Sequence, residues 1–160
     1  MNHTDEARAI LRSLKTIFGS ITGAVAIYLV LGFAMVAGYF QGLHLPLIKV
    51  APDLLQWLSI GGAVIGAGLI GGAIQWERMS LAPQQLIHIK GRQAVQALVM
   101  RTYIAQALML EMVAVIGLVL LLAGLSYTFF LAFTCVPMLL LGLKLAHIDD
   151  LLPTLEQLLH

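Results

Sequence analysis

One acid stands alone in a long apolar stretch. From Thr102 to Leu143 the only charged side chain is Glu111. A charge at the centre of a bilayer costs roughly 2.5–3.5 kcal/mol on insertion scales, so an acid kept there is by default a functional residue. The chemistry it offers is uptake of a proton or a small cation. The alternative is a structural acid, protonated and hydrogen-bonded to a neighbouring helix. The apolar segments offer it few polar partners: Thr22, Ser59, Gln106 and Thr134.

Its depth follows from helix geometry. Arg101 to Glu111 spans about 15 Å at ~1.5 Å per residue, which reaches the midplane of a hydrocarbon core ~30 Å thick. On an antiparallel second span that leaves the membrane at Glu77, the same depth falls at Ala67, flanked by Gly66 and Gly68. The acid and the glycines are therefore expected side by side. A carboxyl among closely packed glycines is desolvated, the setting in which a carboxylate takes up a proton or cation.

The glycines themselves invite a second reading. Gly66-Ala67-Gly68-Leu69-Ile70-Gly71 matches the dinucleotide fingerprint GxGxxG. That fingerprint needs a preceding strand, a helix N-terminus at the turn and a downstream acid on the ribose. Here it lies inside an apolar run. Gly62 and Gly66 are four apart, as are Gly68 and Gly72, with Gly61 and Gly71 beside them. Small-xxx-small spacing lets two backbones approach, which is how helices associate in lipid. Gly62, Gly66, Gly68 and Gly72 are thus read as helix-packing residues. Gly19 and Gly23 form a weaker version in the first span.

No other residue pattern points to catalysis. The histidines, at 3, 44, 88, 147 and 160, lack metal-ligand spacing. There is neither a nucleophile elbow nor a P-loop. The single cysteine, Cys135, sits in an apolar run and reads as a small apolar residue. Asp149-Asp150 reads as a helix cap rather than a metal site. The expectation is no enzyme, no metal and no cofactor.

Composition dictates the elements that must position these residues. The chain is 60% hydrophobic and 11% charged, with mean hydropathy +0.94. A soluble domain is about a quarter charged, and one this apolar could not cover its surface. The expected class is all-α: a polytopic membrane protein with four transmembrane helices in two antiparallel hairpins, forming a single membrane domain over 1–160. A span needs about 20 apolar residues. The runs that qualify are 17–40, 54–76, 102–123 and 129–145, with Gly124 to Thr128 as the last turn. The first run is too long for the apolar core of a signal peptide, roughly 7–15 residues, and reads as a retained helix. Pro137 is expected to bend the fourth span.

Residues 1–15 and 148–160 read as amphipathic helices lying in the membrane interface. The long loop from Glu77 to Met100 holds Pro83, Gly91 and a short apolar patch, Leu86-Ile87 with Ile89. Lys and Arg fix the orientation. Arg8, Arg12 and Lys15 precede the first span, and Arg78, Lys90, Arg92 and Arg101 lie between spans two and three. Lys49 alone lies between spans one and two. Both termini and the central loop are therefore expected in the cytoplasm, in the cell's inner (plasma) membrane. Trp57 and Trp76 fall at opposite interfaces.

Residues 54–124 resemble the proteolipid hairpin, subunit c, of rotary ATP synthases. In that family an acid is followed at +3 by alanine and at +6 to +8 by Gly-Leu-Val, as Glu111 is by Ala114 and Gly117-Leu118-Val119. The partner helix is glycine-rich, as Ser59 to Gly72 is. The resemblance implies ion transport, with Glu111 binding a proton or sodium ion. This chain departs by an extra helix on each side and a longer central loop. The loop lacks the family's Arg-Gln-Pro turn, although Gly91-Arg92-Gln93 sits in it.

Two functions are therefore expected in order. The first is a small non-enzymatic accessory or structural subunit, oligomeric or part of a membrane complex, whose partners are lipid and other membrane helices. The second is a proteolipid-type carrier using Glu111. A net charge of +1 implies no nucleic-acid partner.

Overall fold

A computed structural model describes residues 3–39, 50–82 and 91–159 of the chain. Four long helices are joined by their ends: α1 (His3–Val36), α2 (Pro52–Ser80), α3 (Arg92–Leu122) and α4 (Tyr127–Ala146). A 3₁₀ turn (Ile148–Leu151) then leads into the short α5 (Leu152–Leu159). No strand occurs among the described residues. All four long helices are long and apolar enough to cross a membrane. The chain is an all-α, multi-pass membrane protein.

Local signals explain the helix ends. α1 starts with Asp5 and Glu6 in its first turn, where acids oppose the positive end of the helix dipole. It stops at Gly38, whose φ of 73° suits a residue without Cβ. There Gly38 N–H donates to Met35 O and Tyr39 N–H to Ala34 O, the paired bonds of a Schellman cap. The same cap closes α3 at Gly124, with Leu125 N–H on Leu120 O. Pro52 opens α2, where a missing N–H costs nothing. α4 is helical through Pro137, just after the Thr134 hydroxyl donates back to Phe130 O at 2.8 Å.

α3 is the centre of the bundle. It packs against α1, α2 and α4, and α1 also packs against α4. The core lies along these seams, with Phe18 and Val25 of α1, Ala107, Leu110 and Ala114 of α3, and Leu141 of α4. Gly32 and Gly117 are seats for phenylalanines: the Phe130 ring and the Phe133 side chain occupy the space a Cβ would need. The outer surface is apolar, with Val30 and Phe33 on α1, Val64 on α2 and Leu139 on α4 all more than half exposed. Lipid is the solvent such a surface requires.

The two end segments differ from expectation. Residues 4–15 are not a separate interfacial helix but the first three turns of α1. Their apolar face, Ala7, Ile10, Leu11 and Leu14, is buried within the protein. It meets α5 and the start of α3, where Val95, Val99, Ile148 and Leu155 are buried in the same cluster. The two amphipathic segments thus cover each other instead of resting on lipid. α3 begins at Arg92, ten residues before the expected third span, because Val95 and Val99 continue its buried stripe. Lys15 closes this collar with a 2.7 Å ion pair to Asp149, an exposed contact of at most about 1 kcal/mol. The patch at Leu86-Ile87 and Ile89 lies outside the described residues.

Candidate functional site

Glu77, near the C-terminal end of α2, is the hub of a polar cluster. Tyr103 Oη donates to its Oε1 at 3.2 Å and Gln106 Nε2 to its Oε2 at 3.0 Å. Lys144 Nζ of α4 donates to both oxygens. Tyr103 and Gln106 are three apart on α3, so both face the same neighbour. The ammonium also lies 5.9 Å from the centre of the Tyr103 ring, within cation–π range. Phe18 of α1 meets that ring edge-on, with centroids 6.1 Å apart. One carboxylate therefore ties α2 to α3 and α4 and, through Tyr103, leans on α1.

The cluster is half-buried. The Glu77 side chain is 21% exposed and that of Lys144 37%, while Gln106 is 2% exposed. Gln106 Oε1 is buried without a hydrogen-bond partner among the described residues. An amide oxygen in that state gives up hydration without return.

A cleft of about 490 Å³ opens beside the cluster between α2 and α4, with α3 beneath. Glu77, Arg78, Tyr103, Gln106 and Lys144 supply its polar groups, and Ile74, Leu110 and Leu140 are among its apolar walls. A few fixed polar groups in an apolar hollow of this size are the usual make-up of a ligand pocket. A second hollow of about 180 Å³ lies between the same two helices. Its lining is apolar: Ala63, Gly66, Ala67, Ile70, Val113, Ala132, Phe133 and Val136.

Glu111 lies elsewhere. Its half-buried carboxyl accepts a 3.1 Å hydrogen bond from Tyr28 Oη of α1. It therefore faces α1 and not the glycine stretch of α2. Depth along a helix sets only the level of a side chain; angle round the helix decides which neighbour it meets. Tyr28 was not among the polar partners the sequence suggested.

The glycines divide into two stripes. Gly62 and Gly66 are buried; a Cβ there would lie 2.7 Å from Leu120 Cδ1 of α3 and 2.8 Å from Phe133 Cε1 of α4, respectively. Gly68 and Gly72, with Gly61, have open space where a Cβ would go. This second stripe lies about a third of a turn round the helix from the first. The four packing glycines thus do not share one surface.

No protein-family model, curated protein or solved structure matches this chain. Among the described residues no group of three or more His, Cys, Asp or Glu could hold a metal ion. In the sequence Glu77 marks only the end of span two and Lys144 is not singled out, so the cluster between them is not among the expected sites. The signal was present: in antiparallel spans both positions fall at one end of the bundle, with opposite charges.

Proposed function

We propose that the chain is a non-enzymatic subunit of the cell's inner (plasma) membrane, with both termini in the cytoplasm, that associates with a further transmembrane helix along the outer stripe of α2. The supporting observation is the open space over Gly61, Gly68 and Gly72. Glycine inside a helix costs about 1 kcal/mol relative to alanine. At Gly62 and Gly66 close packing offsets that cost; at the outer stripe nothing among the described residues does. A neighbouring backbone brought close would do so. Exposed Ile65 lies on the same stripe.

A photoreactive diazirine side chain at Ile65, compared with one at Val30 on the exposed face of α1, tests this in native membranes. Protein adducts at 65 that disappear in Gly68→Leu support association, and their mass separates a second copy from a foreign subunit. Lipid adducts alone at both positions would overturn it.

Glu111 favours a second reading, a proteolipid-type carrier. Its carboxyl lies mid-helix and, among the described residues, accepts from the Tyr28 hydroxyl. On this reading Glu111, hydrogen-bonded to Tyr28, binds a proton or a sodium ion. Dicyclohexylcarbodiimide, which modifies protonated carboxyls in apolar settings, should label Glu111, and protection by sodium would identify the ion as sodium rather than a proton. Absence of labelling at every pH removes this reading.

A further inference from the structure

We propose that the cleft and groove between α2 and α4 form one binding site for a phospholipid with an anionic, hydroxyl-bearing phosphodiester headgroup. The two hollows follow the same helices in register. On α4 the lining runs Ala132, Val136, Leu140, Lys144; on α2 it runs Gly66, Ile70, Ile74, Glu77; on α3 it runs Val113, Leu110, Gln106. Each list advances by one helical turn at a time. The track is apolar toward the middle of the bundle and charged at the end that carries both described chain ends. From Ala132 to Lys144 it covers about 18 Å, the scale of an acyl chain. A water-soluble ligand would have no use for the apolar half.

Charge selects the head. The cleft is lined by Glu77, Lys144 and Arg78, so its formal charge is −1 + 1 + 1 = +1. Lys144 is already bonded to Glu77, whereas Arg78 forms no ion pair among the described residues. A phosphodiester carries one negative charge, and a guanidinium binds two of its oxygens at once. Gln106 Oε1, the buried acceptor without a partner, calls for a donor. A headgroup hydroxyl supplies one; a choline headgroup has neither net charge nor a donor. Basic pockets between transmembrane helices are a recurrent way of holding such lipid heads.

The experiment is thermal unfolding of the full chain in detergent with lipid added. Dioleoylphosphatidylglycerol should raise Tm more than dioleoylphosphatidylcholine. Phosphatidylmethanol, which keeps the charge and lacks the hydroxyl, should fall between them. Glycerophosphoglycerol, the same head without chains, should leave Tm unchanged. Arg78→Gln alters an exposed residue and should weaken the phosphatidylglycerol response about tenfold in concentration. Ala67→Leu fills the apolar groove from an exposed position and should weaken it similarly. Equal shifts with phosphatidylglycerol and phosphatidylcholine, or responses untouched by both substitutions, overturn the site. A shift with glycerophosphoglycerol as large as with the lipid overturns a lipid occupant. Equal shifts with phosphatidylglycerol and phosphatidylmethanol overturn the role given to Gln106. None of these outcomes depends on whether α2 binds another helix.

Discussion

Replacing Lys144 by Met would leave Glu77 with its two neutral donors, Tyr103 and Gln106, and no counter-charge. The pair is half-buried, so the cost lies between that of an exposed contact and that of a dry one. Lys144→Met should destabilise the fold by about 1–3 kcal/mol. Glu77→Gln in the same chain should recover part of the loss, because the uncompensated charge is then gone. Unfolding of the single and double variants in one detergent gives the coupling; strict additivity would mean the pair contributes nothing. Tyr28 and Glu111 invite the same cycle with Tyr28→Phe and Glu111→Leu. Interhelical hydrogen bonds in membranes average about 0.6 kcal/mol, and a coupling of that order is expected. Glu111→Gln should be nearly silent for stability, since an amide oxygen still accepts from Tyr28.

At the scale of the element, α2 carries two glycine stripes with different neighbours. Gly62→Leu or Gly66→Leu drives a side chain into Leu120 or Phe133. Overpacking of this kind costs about 1–3 kcal/mol. Gly68→Leu meets open space and should leave the isolated chain as stable as before. It should act only on association with another helix. Denaturation of the purified chain beside native-gel size of the membrane extract separates the two effects. Loss of stability in Gly68→Leu would place that stripe inside the bundle.

For the whole molecule, three long helices exceed the ~30 Å hydrocarbon core. α1, with 34 residues, is about 51 Å long at ~1.5 Å per residue. The start of α1 and the start of α3 gather with α5 into a collar of buried Ile10, Leu14, Val99, Ile148 and Leu155. Leu155→Asp buries a charge against α1 and should unseat α5. Limited proteolysis should then cut within the first three turns of α1, which the intact chain protects. Orientation is tested by single cysteines at Arg8, Gln85 and Glu156 in a Cys135→Ala chain. All three should react from the cytoplasmic side only; reaction of the Gln85 cysteine from outside would sink the four-span arrangement.

Hydropathy alone determined that the chain is helical, spans a membrane and turns near Gly124, because lipid forces backbone hydrogen bonds to be satisfied within each span. Sequence also picked out Glu111 and the glycines, since a lone acid and repeated small residues are conspicuous in an apolar run. It left open which way they face. Rotation about a helix axis depends on the packing of every neighbour at once, and only the tertiary structure turned Glu111 to Tyr28 and split the glycines between an inner and an outer stripe. The collar escaped for the same reason: an amphipathic segment can rest its apolar face on lipid or on a partner with the same residues. Glu77 and Lys144 lie 67 residues apart, and each alone marks the end of a span. Their meeting with Tyr103 and Gln106 required three helices to converge on one carboxylate, which no single segment encodes.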